Sequence, residues 1–151
     1  MTDYLQFDQI LEKIRGLPCG MKSLEDEDLA PERKLADSAA YFFVKKDENE
    51  KKDRLKPTQL RKVFHTLKSI ERRQAGLFQR GHVISILPEL AYAYSRDLIP
   101  KEFYNLMKEC LSERNLKDEE DFSKLMRFLE ALLAYHRFHQ VEAKPRVQEE
   151  G

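Results

Sequence analysis

Apolar positions recur three and four residues apart along most of the chain, the period of an α-helix with one buried face. In residues 3–15 the series is Tyr4, Phe7, Ile10, Leu11 and Ile14, with Leu5 beside it, and Thr2 or Asp3 can cap the start. Gly16, Pro18 and Gly20 end that helix, and the acidic run Glu25-Asp26-Glu27-Asp28 marks residues 16–30 as a mobile connector. Pro31 suits the first turn of a second helix running to about Lys46, with Leu35, Ala39, Phe42 and Phe43 as its stripe. Residues 47–56 are charged and read as another exposed connector.

Thr58, after Pro57, is the expected cap of a third helix that ends near Gln74 and buries Leu60, Val63, Phe64, Leu67 and Ile70. Gly76 breaks the pattern. A fourth helical region covers about 77–96, and Pro88 inside it predicts a kink or two short helices. Pro100 opens a fifth helix carrying Phe103, Leu106, Met107, Cys110 and Leu111. Asp118 precedes a sixth, about 119–140, apolar over more than one stripe and therefore expected at the centre. No run alternates with period two over a useful length. His82-Val83-Ile84-Ser85-Ile86, the one β-like fragment, also fits helical spacing.

The pattern thus predicts an all-α fold: a single compact bundle of five or six helices with a mobile N-terminal helix. Its segments are an N-terminal helix and acidic connector (1–30), a bundle (31–140) and a disordered tail (141–151).

Composition narrows the classes of function. The 151 residues suit one domain, no apolar run approaches a membrane span, and no signal peptide is evident, so the reading is cytoplasmic. Cys19 and Cys110 make neither a disulfide framework nor a zinc site. Only 5 Gly in the chain leave little material for Gly-rich phosphate loops.

Charge adds what hydropathy does not show. The net charge is zero, yet Arg54 to His82 holds eight basic residues against the single acid Glu71, a net +7. The remainder holds 19 basic and 26 acidic residues, a net −7. Within that segment Arg61, His65, Lys68 and Arg72 fall within about 60° of one another on the third helix, offset from its apolar stripe. Lys62, Ser69 and Arg73 broaden the band. Such a band suits the phosphates of a nucleic-acid strand, and its ordinary alternative is a solvated helix face. Lys56 and Arg80 extend the candidate surface, and Arg96 and Arg137 are second-rank candidates set among acids. The contacts expected are to backbone phosphates, independent of base sequence.

Catalytic motifs are missing: no nucleophile elbow, Walker loop or zinc-binding helix motif occurs. His136 and His139 lie three apart, but a third ligand at matching spacing is lacking, so two surface or partly packed imidazoles is the simpler reading. Cys19 reads as a free thiol and Cys110 as a small core residue. Glu102 and Glu109 read as solvated helix surface. No metal or cofactor is expected.

The segment Pro57-Thr58-Gln59-Leu60-Arg61 resembles the T-x-Q-[IL]-R start of the principal helix in the small subunit of type III-A CRISPR effector (Csm) complexes. Leu87-Pro88-Glu89-Leu90-Ala91-Tyr92, followed by Arg96, is similar to the family's L-P-x-L-A-Y stretch. Phe103-Tyr104 and Phe128 to His136 resemble its last two helices. The resemblance spans about residues 35–138. It implies a non-catalytic helical subunit, stacked in copies along the filament beside the backbone subunit and helping hold target RNA paired to guide RNA. Its partners would be guide and target RNA, the backbone and large polymerase-like subunits, and further copies of itself, with no membrane. RNA cleavage would belong to the backbone subunit, and DNA cleavage and cyclic-nucleotide synthesis to the large one. Two readings compete with it: a protein-interaction adaptor whose basic band meets only solvent, and a metal enzyme using His136 and His139.

Overall fold

The computed structural model describes residues 3–44 and 53–143. Its helices are α1 (Phe7–Arg15), a 3-10 turn (Met21–Ser23), α2 (Asp26–Leu29), α3 (Leu35–Val44), α4 (Pro57–Gln74), α5 (Arg80–Ile84), α6 (Ile86–Ser95), α7 (Lys101–Cys110) and α8 (Glu119–Ala143). No strand occurs among the described residues. The all-α bundle expected from the hydrophobic period is therefore the fold, with α8 at its centre.

Helix α8 earns that position by its sequence. Phe122, Leu125, Met126, Phe128, Leu129 and Leu132 are all buried, too broad a surface for one neighbour to cover. The 3-10 turn, α3 and α4 pack on α8, while α1 lies against α3 and α7, and α6 against α7. Asp118 caps α8: its Oδ1 accepts the Asp121 N–H at 3.0 Å.

Several expected boundaries shift, each for a local reason. Helix α1 starts at Phe7 rather than Asp3. Gln6 and Gln9 form a reciprocal cap there, and Tyr4 and Leu5 precede the helix, with the Leu5 N–H donating to Ser38 Oγ at 2.9 Å. Ile10 and Ile14 of α1 are fully buried. Pro31 does not open α3. Arg33 takes a left-handed φ of 64°, its N–H is held by Asp37 Oδ2 at 2.7 Å, and the helix begins only at Leu35. Lys56, not Thr58, is the N-cap of α4, which places Pro57 at the first helical position where its missing N–H costs nothing. Around Pro88 the chain does form two helices, separated at Ser85, and Pro88 sits in the first turn of α6. The expected end of the second helix near Lys46, most of the connector 47–56, the Thr2 cap and the tail from 144 lie outside the described residues.

Residues 16–30 correct the expectation of a mobile connector. Leu17, Met21, Leu24 and Leu29 are buried in the common core. The buried Asp121 carboxylate accepts the N–H groups of Lys22 and Lys117, both at 2.8 Å. Lys22 pairs with Asp118, and that hydrogen bond holds the Asp118 carboxyl below its ordinary range. Asp26 pairs with Lys124 and Arg127. Asp26 of the acidic run has basic partners on α8 that sequence periodicity does not reveal. Gly20 makes the approach feasible. Its φ of 80° and ψ of −167° suit glycine almost alone, and a Cβ there would lie 3.0 Å from the Arg114 carbonyl oxygen and from Asp121 Oδ1.

His136 and His139, read from sequence as two surface or partly packed imidazoles, are both buried. His136 Nε2 donates to the Leu55 carbonyl at 2.8 Å, anchoring the chain that enters α4. His139 Nε2 meets Asp37 Oδ1 and joins α8 to α3. Burial pushes the His136 pKa below its ordinary value, opposed by its bond to the Leu55 carbonyl.

Three outcomes follow. Leu129→Ala removes a fully buried side chain and should cost about 2–5 kcal/mol in chemical denaturation. Gly20→Ala should cost at least about 2 kcal/mol by the same measurement, through a strained φ and a clash with backbone. For His136 the folded pKa is lower than the unfolded one, so the unfolded chain binds the proton better. Its contribution is intact above about pH 6.5 and is lost as pH falls through the depressed folded value. Denaturation midpoints should drop between pH 7 and 5, with a shallower drop in His136→Gln.

Candidate nucleic-acid interface

Helix α4 is the longest helix after α8 and spends its apolar face on the core. Leu60, Val63, Leu67 and Ile70 are buried and Phe64 is half-buried. Because helix positions repeat every 3.6 residues, that choice turns the adjacent flank outward. Arg61, Lys62, His65, Ser69, Arg72 and Arg73 are exposed there, and Lys68 is half-buried. Among the described residues only Lys68 of the α4 cations has an acidic partner, Glu71 one turn on at 3.0 Å. Elsewhere Arg15, Lys22, Lys124 and Arg127 are paired with Glu109, Asp118 and Asp26. The flank thus presents its positive charge to solvent.

The N-terminal end of α4 adds to this field. No side chain caps it; Pro57 carries no N–H and the Gln59 N–H donates to the Lys56 carbonyl at 3.1 Å, so what this end adds is the positive pole of the helix dipole. Lys56, the N-cap residue, is exposed beside it. Arg61 is close enough for its charge to act on His136 of α8, disfavouring the imidazolium. Arg137, the next residue on α8, is exposed.

The remaining candidates separate. Arg80 does not join the exposed set. Its Nε donates to the Leu116 carbonyl and its Nη2 to the Leu111 carbonyl, both at 2.8 Å, bracing the link between α7 and α8. Arg96 ends α6, away from the α4 band in sequence, and its guanidinium donates to the Tyr92 hydroxyl at 2.7 Å. Arg54, counted in the basic segment, lies over the Phe42 ring at 4.1 Å and serves packing.

Sequence reasoning missed the cavity at the C-terminal end of α4. It measures about 420 Å³ and is bounded by α4, the following turn and α5. The hints in the sequence were the breaking Gly76 and, directly after it, the apolar Leu77, which is 75% exposed.

A catalytic arrangement does not assemble from the other candidates. The ε nitrogens of His136 and His139 point to different partners, Leu55 and Asp37. No cluster of three or more potential metal ligands occurs among the described residues. Cys110 is buried, which pushes its thiol pKa up, and Cys19 is exposed. Glu109 is engaged by Arg15. No helix among the described residues is long and apolar enough to cross a membrane.

No curated protein and no solved structure matches the chain. The model of the family described as Csm2 Type III-A matches residues 32–142, from the turn before α3 to the last turn of α8. That span takes in the Thr58-Gln59-Leu60-Arg61 start of α4, the L-P-E-L-A-Y stretch of α6 and nearly all of the central helix. By this match over most of its length, the chain belongs to the Csm2 family, the small subunits of type III-A CRISPR complexes.

Proposed function

We propose that this subunit is a non-catalytic RNA-holding element of its complex. It would stack in copies along the guide and target RNA and grip the target strand by its backbone. The observation that carries the reading is the outward flank of α4, where Arg61, Lys62, Arg72 and Arg73 are exposed and have no acidic partner among the described residues. Each phosphate such a flank neutralises releases condensed counterions, which drives binding and makes it salt-dependent. Arginine adds paired donors for a phosphate. Contacts of this kind position a strand without reading it, as a subunit serving any guide sequence requires. Arg61 ranks first, since it sits in the family-like motif nearest the uncapped start of the helix. Lys56 supports it. Arg137 and Arg96 are secondary contacts, and Arg80 contributes its charge at a distance.

The chain's partners in this reading are guide and target RNA, the backbone and large subunits, and further copies of itself. Acidic surface outside the α4 segment suits contacts with basic neighbours. Cleavage is left to other subunits. A protein-interaction adaptor would have the same fold but no salt-dependent affinity for RNA.

Binding of single-stranded RNA should show log K falling against log salt by about 0.7 per neutralised phosphate. Arg61→Ala should weaken RNA of every sequence alike and make that slope shallower by about one contact's worth, without changing the denaturation midpoint. A combined Arg61, Lys68 and Arg72→Glu variant should abolish binding. If the triple variant folds and binds target RNA with an unaltered salt slope, the band is a solvated face and the adaptor reading replaces this one.

A further inference from the structure

The cavity at the end of α4 has a wall chemistry different from that of the band. Ile70 and Leu77 give it apolar surface, Arg73 and His82 give it cationic or protonatable groups, and Gln74 and Gln79 give it amides. Ser85 also lines it, with its hydroxyl donating to the His82 carbonyl at 2.6 Å. The turn is held in shape from within. Gln74 Nε2 donates to the Gln79 carbonyl at 2.9 Å, the Leu77 N–H donates to the Gln74 carbonyl at 2.8 Å, and Ala75 and Gly76 both take positive φ. The opening is therefore a built feature of the fold rather than slack between helices.

Its electrostatics favour an anion. From Arg72 to Pro88 the sequence contains no acid and includes Arg72, Arg73, Arg80 and His82. No carboxylate lines the cavity, although Glu119 approaches the same turn at Gly76. The C-terminal carbonyls of α4 oppose an anion there, and the arginines of its last turn offset them. A volume of about 420 Å³ lies within the roughly 300–1,000 Å³ of small-molecule sites. Leu77 is the decisive feature. A leucine 75% exposed at the rim of a cationic cavity has no role in the core, and it suits the flat face of a base.

We infer that this cavity takes one unstacked nucleotide, its phosphate on Arg73 and His82 and its base against Leu77 and Ile70. The assignment rests on the RNA-holding role proposed above. It deepens that role by adding an apolar contact to a base, itself insensitive to salt, beside a phosphate contact where the basic band ends. Apolar contact to a base face does not distinguish one base from another, so the site is compatible with any sequence.

Adenosine 5′-monophosphate, adenosine and inorganic phosphate, each titrated into the full chain, test the site by nuclear magnetic resonance of the Leu77 methyl groups and the His82 ring. The monophosphate should give saturable shifts at both residues, with adenosine and phosphate each at least about 10-fold weaker, because each lacks one anchor. Arg73→Gln and Leu77→Ser, both at exposed positions, should each weaken the monophosphate by roughly 3- to 10-fold. Absence of saturable shifts at Leu77 and His82, or phosphate binding as tightly as the monophosphate, overturns the nucleotide site. That failure is separable from failure of the RNA reading. RNA affinity retained without any monophosphate shift removes only the cavity. A monophosphate bound by a chain with no RNA affinity upholds the cavity and removes the RNA role.

Discussion

Burial of α8 governs the rest of the structure. Its buried side chains from Phe122 to Leu132 cover an arc of about 160° at 100° per residue, and hydrophobic surface of that breadth is stable only when several elements enclose it. The 3-10 turn, α3 and α4 do so. Once Leu60, Val63, Leu67 and Ile70 are committed to that core, the helical period leaves α4 no freedom over which flank faces outward. The basic band is exposed as a consequence of how the bundle closes, which links packing to electrostatics in one step.

Cations in this fold divide into two populations with different physical roles. Arg114 and Arg80 are spent on main-chain carbonyls: Arg114 on those of Arg15 and Leu17 after α1, Arg80 on those of Leu111 and Leu116 after α7. Positive charge at a helix C-terminus satisfies orphan acceptors and complements the dipole. Lys124 and Arg127 fix the acidic α2 on the central helix. Among the described residues the cations of α4 have no such occupation apart from Lys68. Counting charges along the sequence cannot separate these populations, because a guanidinium on a carbonyl and one facing solvent contribute the same +1.

Period and breakers made most of the fold legible. Helix type, the centrality of α8, the division around Pro88 and the buried face of α4 all followed from spacing, since each depends on local geometry and on apolar positions. What stayed illegible depends on long-range polar contacts. The buried Asp37 and His139 lie 102 positions apart. The Asp121 carboxylate that orders Lys22 lies 99 positions from it. An acidic run with partners across the fold looks, in sequence, like a run without them, so residues 16–30 read as a tether when they are part of the core. The basic band was visible in sequence. The cavity beside it was not, because it arises from left-handed turns at Ala75 and Gly76 that only Gly76 announces.

The central claim is that closure of the bundle on α8 presents the outward flank of α4 to RNA. Ultraviolet crosslinking of the assembled complex on target RNA, followed by mass spectrometry of the peptides of this subunit, measures it directly. The account predicts crosslinks within residues 56–82, beginning near Arg61 and extending to the turn after Gln74. Crosslinks confined to α6 and α7, with none in α4, would contradict it.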